Sequence, residues 1–487
     1  MKRTDIEEIF HPRSIAVVGA TNELFRGATG FLKCLMDMGF EGRLYPINPR
    51  IQESMGLRAY PSLSDVPGPV DHVIVGVPAR EAPTIIEDAV EKGVHSVHFF
   101  SSGFSELDTR EGDALQTEMT SRARGKVRII GPNCMGLYNP KVKLAFEEGQ
   151  PAVSGGAGFV SQSGGLATAF VQNAVSEGNY CSKVASIGNS SDLKLTDFLE
   201  YLSEDDETET IGLYIEGLGP GEGRAFMDAL RAAARRKPVL IWKGGLTDSG
   251  ARAAFSHTAA LAGTGHIWPA LVRQFGGILV DSVEEMHDFI KLYRLMPPPA
   301  STRSCLVAFG GGCSVTYADL CTWEGIELPA LGPDTRQALS EYIAPIGTMT
   351  VNPVDVSASG WLPGVLGKTA MAVGADSAVD SVIVISQMVF AGNMSRRMGI
   401  DPRKVIEHQA EDVGAAARLM KVPVMCANPA AHEGLEAEDI RLHLKKAMEE
   451  NGVPSFPDIR RTIKALRRYH DYHRFINQVA ALSAEAN

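Results

Sequence analysis

The chain has 487 residues, 44% of them hydrophobic and 22% charged, with a formal net charge of -11. That length allows about three domains of roughly 150 residues each, and the composition is that of an ordinary soluble globular protein. The acidic balance argues against nucleic acid or an anionic membrane as the main partner, because phosphate surfaces demand a basic face, but leaves room for a local basic pocket.

In chain order, residues 14 to about 135 alternate short apolar runs with helical periods. Strands are expected at Ser14–Gly19, Leu44–Ile47, His72–Val77, Ser96–Phe100 and Arg128–Ile130, and helices at Phe31–Met38, Ala82–Lys92 and Arg110–Ala123. That rhythm predicts parallel βαβ units in a doubly wound sheet. It restarts at Gly158–Ser161 after the joint Ser154-Gly155-Gly156-Ala157-Gly158. Strands follow at Lys183–Ile187, Thr210–Ile215 and Val239–Trp242, with helices from Leu166, Leu195 and Arg224. Met296-Pro297-Pro298-Pro299 is a stiff break. A third run of the same kind opens at Cys305–Phe309 and continues through Val382–Ile385 and Val422–Cys426. From Asp458 to about Leu482, apolar residues at spacings of three and four predict an amphipathic closing helix. Three α/β units in series are expected, over 1–145, 150–296 and 301–487.

The seven cysteines are scattered and no pair has CxxC spacing, so no metal or dithiol site is expected. Residues 1–8 carry no apolar leader core, and no apolar run approaches membrane-spanning length, so a cytoplasmic location is expected.

Three strand-to-helix turns are rich in glycine. Val17-Val18-Gly19-Ala20-Thr21, followed by Gly27 and Gly30, suits an anion at a helix N-terminus. It does not satisfy GxGxxG, and the second strand ends in Asn48-Pro49-Arg50 with no acidic residue for a ribose hydroxyl. The Arg50 guanidinium suits a ribose phosphate, which NADP and coenzyme A both carry; a turn without ligand is the plain alternative. Ser161-Gln162-Ser163-Gly164-Gly165 and Gly310-Gly311-Gly312-Cys313-Ser314 are the other two turns. Either alone is as compatible with a tight turn as with a phosphate cradle. Between them lies Phe255-Ser256-His257-Thr258-Ala259-Ala260-Leu261, with a lone histidine in what looks like a small-residue loop. A neutral imidazole there has the chemistry of a nucleophile; a solvent-facing histidine is the alternative. Glu216 ends a strand at the ligand-bearing face of an α/β sheet, where a carboxylate can orient an imidazole or form a structural ion pair. No GxxxxGK[ST] occurs, so any nucleotide is expected to be bound elsewhere.

Taken together these segments resemble the α subunit of the nucleoside-diphosphate-forming acyl-CoA synthetases, within the succinyl-CoA synthetase superfamily. The likeness runs nearly end to end. It is carried by His11–Ala20, Tyr45–Pro49, Gly131–Gly136, Gly158–Gly164, Glu216-Gly217, Gly250–Thr258 and Val351–Asp355. It implies a Rossmann-like CoA-binding domain followed by two flavodoxin-like, doubly wound ligase domains. On that likeness His257 takes a phosphoryl group and Glu216 steadies it, with Ser163, Gly164, Gly165, Gly311, Gly312 and Cys313 as its cradle. Gly19, Ala20, Thr21, Asn48, Arg50, Val77, Pro78, Ser102, Gly103 and Asn133 would line the coenzyme A site. ATP or ADP and Mg²⁺ would belong to a separate ATP-grasp β subunit, in an α2β2 assembly acting on a small carboxylic acid. Ala259 stands where the family usually has Gly, Arg50 where Lys is common, and the turn at Gly311–Ser314 departs from the usual glycine-proline-glycine. Other readings of the scaffold are an acyl or carbamoyl transferase, a non-catalytic CoA-binding protein and an NADP-dependent oxidoreductase.

Overall fold

The computed structural model describes residues 3–24, 27–258, 267–386, 395–397, 399–429 and 434–485, without the side chains of 3–4, 254–258, 358 and 483–485. The chain divides into two compact units, one up to His287 and one from Asp288 onward.

The first unit holds two sheets. In the first, Ser14–Val18 lies between Arg43–Ile47 and His72–Val75, and Ser96–Phe99 and Arg128–Ile130 complete the sheet, all parallel. Ser14–Val18 is buried at every position because helices cover both faces, which is why its sequence is apolar without alternation. The helices Thr29–Met38, Ala82–Lys92 and Arg110–Ala123 match the expected periods. The order second–first–third–fourth–fifth leaves a switch point between Ser14–Val18 and His72–Val75, where sheets of this kind open a crevice at their carboxyl ends.

The second sheet runs Ile278–Val280, Val239–Lys243, Thr210–Ile215, Ala157–Ser161, Cys181–Ser186 and Gly136–Tyr138. All are parallel except Gly136–Tyr138, which pairs antiparallel with Cys181–Ser186. Its switch point lies between Ala157–Ser161 and Thr210–Ile215. Gly136–Tyr138 comes from the segment leaving the first sheet, so one stretch of chain edges the second. Further bonds tie the two sheets together. The Arg128 guanidinium forks onto Asp192 at 2.8 and 3.0 Å, and the Ile129 N–H donates to the same carboxylate.

In the second unit Val354–Asp355, Ser304–Ala308, Ser381–Ile385, Val424–Ala427 and Ser455–Phe456 form one parallel sheet in that order. The closing helix Ile459–Glu485 buries Ile459, Ile463, Leu466, Tyr469 and Tyr472, and the Tyr469 hydroxyl donates to the Met296 carbonyl at 2.7 Å. It packs on its own unit, along the apolar stripe read in the sequence. Among the described residues no helix is long and apolar enough to cross a membrane, and no cluster of metal-ligating side chains occurs.

Candidate functional site

The residues singled out in the first 140 positions all follow carboxyl ends of strands in the first sheet. Gly19 leaves Ser14–Val18 with φ +89°, and a Cβ there would lie 2.7 Å from Val77 Cγ1. A Cβ on Gly27 would lie 2.2 Å from the Gly19 carbonyl oxygen, and one on Gly76 would run into Ala28. These glycines let the two switch-point turns and the first turn of Thr29–Met38 close on one another. Ala28, at the start of that helix, provides no side-chain cap, and its carbonyl accepts from the Phe31 N–H at 3.1 Å.

Around this turn the polar side chains hold backbone. The Asn48 amide donates to the Ala20 carbonyl at 2.8 Å and accepts from the Arg50 N–H at 2.9 Å. The Thr29 hydroxyl accepts from the Thr21 N–H at 2.8 Å, and Ser54 donates to the Thr21 carbonyl at 2.6 Å. Ala20 itself is fully buried, so it packs the turn, whereas the Arg50 side chain is exposed to solvent. Val77 is half-buried with its carbonyl accepting from Ser101, and Pro78 and Ser102 are exposed. Asn133 adopts φ +59° and donates its N–H to the Ser101 carbonyl at 3.1 Å. Gly103 and Phe104 N–H groups converge on the Glu106 carboxylate, which also receives the Asn189 amide from beyond the second sheet. Burial pushes the Glu106 carboxyl up, but these three donors outweigh it and hold it below its ordinary value. A helix start reached by close backbone approach, with the exposed Arg50 at the end of the neighbouring strand, is a set compatible with a phosphorylated nucleotide.

At the second switch point, Tyr214 pairs with Ser161 and Ile215 with Lys243. This register sets Glu216, Ser163 and the start of the next helix at one edge. Ser163 caps the helix Gly164–Ser176 by accepting from the Leu166 N–H at 3.4 Å. A Cβ on Gly165 would meet nothing within 4 Å, so the space above this turn is open. Glu216 is buried. Three residues that the sequence did not mark as functional hold it. The Gln162 carbonyl oxygen accepts from the Glu216 N–H at 2.6 Å and the Gly217 N–H at 3.1 Å, and its amide donates to the Gly217 carbonyl. Lys243, also buried, donates to the Glu216 carbonyl at 2.8 Å. Burial lowers the Lys243 pKa, opposed by the Glu216 charge. The Tyr214 phenol, pushed up first by burial and then by the Glu216 charge, hydrogen-bonds Glu216. Gln162 lay inside the quoted turn, but its partners are more than fifty positions away, so spacing could not reveal them.

His257 was expected in a loop; its backbone instead belongs to the helix Asp248–Thr258. Ala251, Ala253 and Ala254 are strong helix formers and override the flanking hydroxyl residues. The His257 side chain and residues 259–266 lie outside the described part of the chain. The helix itself starts five residues after Lys243 and runs beside Ser105–Leu107, the short turn just past Gly103. So the element bearing His257 bridges the two carboxyl edges of the first unit.

In the second unit Gly310 has φ +103° and opens the helix Gly311–Trp323. Its N–H donates to Asp355 at 2.7 Å, and the Ser357 N–H donates to the same oxygen. A Cβ on Gly312 would meet nothing within 4 Å, and Cys313 is half-buried. This turn sits at the switch point of its own sheet, between Ser304–Ala308 and Ser381–Ile385.

Comparison with known proteins matches residues 13–140 to a CoA-binding domain and residues 154–293 to a succinyl-CoA ligase-like flavodoxin domain. The α subunit of acetate–CoA ligase [ADP-forming] I from Pyrococcus furiosus is 30% identical over 96% of this chain and 98% of its own length. The isoenzyme II α subunit of that organism is 32% identical over 93% and 94%. A longer acetate–CoA ligase [ADP-forming] I from Archaeoglobus fulgidus is 36% identical, and the match spans half of it. The dinucleotide-forming acetyl-coenzyme A synthetase 1 of Ca. Korarchaeum cryptofilum, solved with phosphate and ADP, superposes with a TM-score of 0.81 at 29% identity over 98% of both chains.

Proposed function

The chain belongs to the family of ADP-forming acid–CoA ligase α subunits, and we propose that it makes or cleaves an acyl-CoA through a phosphohistidine and an acyl phosphate. The observation that carries this reading is the gathering of the Ser163 turn, the clamped Glu216 and the helix bearing His257 at one edge, beside the loop of Gly103.

In this reading His257 accepts a phosphoryl group from ATP, held with Mg²⁺ on an ATP-grasp β subunit, and hands it to the carboxylate of a small acid. Glu216, fixed by Gln162 and Lys243, keeps the imidazole in one tautomer and orientation. Ser163, Gly164 and Gly165 offer helix N–H groups to the phosphoryl oxygens, and Gly311, Gly312 and Cys313 form the second glycine turn that the family likeness assigns to phosphate. Gly19, Ala20, Thr21, Asn48, Val77, Pro78, Ser102, Gly103 and Asn133 shape the coenzyme site, with Arg50 on its ribose phosphate. Bound coenzyme A supplies the thiol that takes the acyl group from the acyl phosphate, breaking its C–O bond and releasing inorganic phosphate. The domains run 1–145, 150–296 and 301–487, the assembly is α2β2, and the setting is cytoplasmic.

The pair co-purified with its β subunit, given acid, CoA and ATP, tests this. His257→Ala should lose ligation entirely while CoA affinity stays within about twofold. Turnover by that variant would overturn the proposal.

A further inference from the structure

Two of the turns proposed to line the coenzyme site are gripped by one loop of the second sheet, the one that follows Cys181–Ser186. The Asn189 N–H donates to the Pro132 carbonyl at 3.0 Å, and the Ser191 N–H and hydroxyl both donate to the Gly131 carbonyl, at 2.9 and 3.0 Å. Gly188 has φ +46°, and a Cβ there would lie 2.2 Å from the Pro132 carbonyl oxygen. The loop is therefore seated directly on the turn that ends in Asn133. Its side-chain amide reaches the other turn. Asn189 Nδ2 donates to the Glu106 carboxylate at 2.5 Å and to the Gln116 carbonyl oxygen at 3.0 Å.

Glu106 connects that amide to the coenzyme side. One carboxylate oxygen accepts from the Gly103 N–H at 2.5 Å and the Phe104 N–H at 3.1 Å, and the other accepts from Asn189. The first oxygen alone satisfies the local turn. The second is engaged by a residue 83 positions away, on a different sheet. Bonds to an ionised carboxylate are the stronger kind, so this one couples the two sheets where it stands. Gly103 in turn packs on the switch-point turn of the first sheet. It has φ +116°, and a Cβ there would lie 3.1 Å from Ala79 Cβ, next to Pro78.

We infer that Glu106 is a positioning residue for the coenzyme, acting through the Gly103 and Phe104 N–H groups, and that Asn189 fixes its second oxygen, so that the second sheet sets the shape of the coenzyme site. The inference rests on the acid–CoA ligase reading and adds to it two side chains that touch no substrate. The pair co-purified with its β subunit is compared with three variants. Glu106→Gln keeps an oxygen for Gly103 and Phe104 but turns an amide N–H toward the Asn189 donor. Kd and KM for CoA should rise about tenfold, while kcat at saturating CoA, and phosphoenzyme formation from ATP without CoA, stay within about twofold of wild type. Asn189→Asp sets a carboxylate against the Glu106 carboxylate and should weaken CoA binding by about the same factor. The two substitutions together restore a donor and an acceptor, and CoA affinity should return to within about threefold of wild type. Three results would overturn the positioning role and leave the ligase reading intact. They are unchanged CoA affinity in Glu106→Gln, a loss of phosphoenzyme formation or kcat that parallels the loss of CoA affinity, and a double variant no better than the weaker single one. Absence of CoA binding by the wild-type pair would remove the ligase reading, and the positioning role with it.

Discussion

Two strand-to-helix turns of the first unit carry glycines for opposite reasons. After Ser14–Val18, a side chain on Gly19 or Gly27 would strike neighbouring atoms at 2.7 or 2.2 Å. After Ala157–Ser161, one on Gly165 would stand in open space. The first turn uses glycine to close the protein on itself, and in the proposed reading the coenzyme meets only the helix start that results. In the second, a Cβ on Gly164 would lie 2.9 Å from Met135 Cγ, and in the proposed reading only Gly165 keeps a wall away from the incoming group. A glycine-rich string in sequence therefore does not by itself say which partner needs the missing Cβ.

This contrast can be broken or sharpened by substitution. Gly27→Ala has the largest expected effect, because it adds a strained φ of +62° to a backbone collision. Stability should fall by about 3 kcal/mol, seen as a lower urea midpoint, and CoA affinity should fall with it. Gln162→Leu comes next. It strands the Glu216 and Gly217 N–H groups, which should cost about 2 kcal/mol, and single-turnover labelling should show slowed phosphoenzyme formation with CoA affinity retained. Arg50→Gln leaves the exposed edge of the first turn intact. Binding of CoA should weaken about fivefold and that of dephospho-CoA should stay the same; equal losses would separate Arg50 from the ribose phosphate. Gly165→Ala has the smallest effect on stability and the opposite sign. It should stabilise the helix by about 0.5 kcal/mol, raising Tm, while slowing phosphoryl transfer; a lower Tm would mean this glycine too is there for packing.

Much of the fold was legible because central parallel strands are continuous apolar runs separated by helical periods. Thr210–Ile215 and Ala82–Lys92 fall where the pattern put them, and most other strand ends lie within two residues. What escaped were short edge strands. Gly136–Tyr138 has three residues, too few for any periodicity, and its direction is set by a partner some fifty positions away. Ile278–Val280 and Ser455–Phe456 were missed for the same reason. At the site, the turns and Glu216 were legible because they end strands. The clamp by Gln162 and Lys243 was not, since sequence does not say which strands become neighbours. The helix through His257 was misread because its hydroxyl residues and following small residues look like a loop, whereas Ala251–Ala254 favour a helix.

The claim on which the rest depends is that one imidazole carries the phosphoryl group. Rapid-quench labelling of the co-purified pair with γ-labelled ATP, followed by peptide mapping under alkaline conditions, tests it most directly. The account predicts acid-labile, alkali-stable label on the peptide containing His257 and none in His257→Ala. Label on any other residue, or label that survives the substitution, would contradict it.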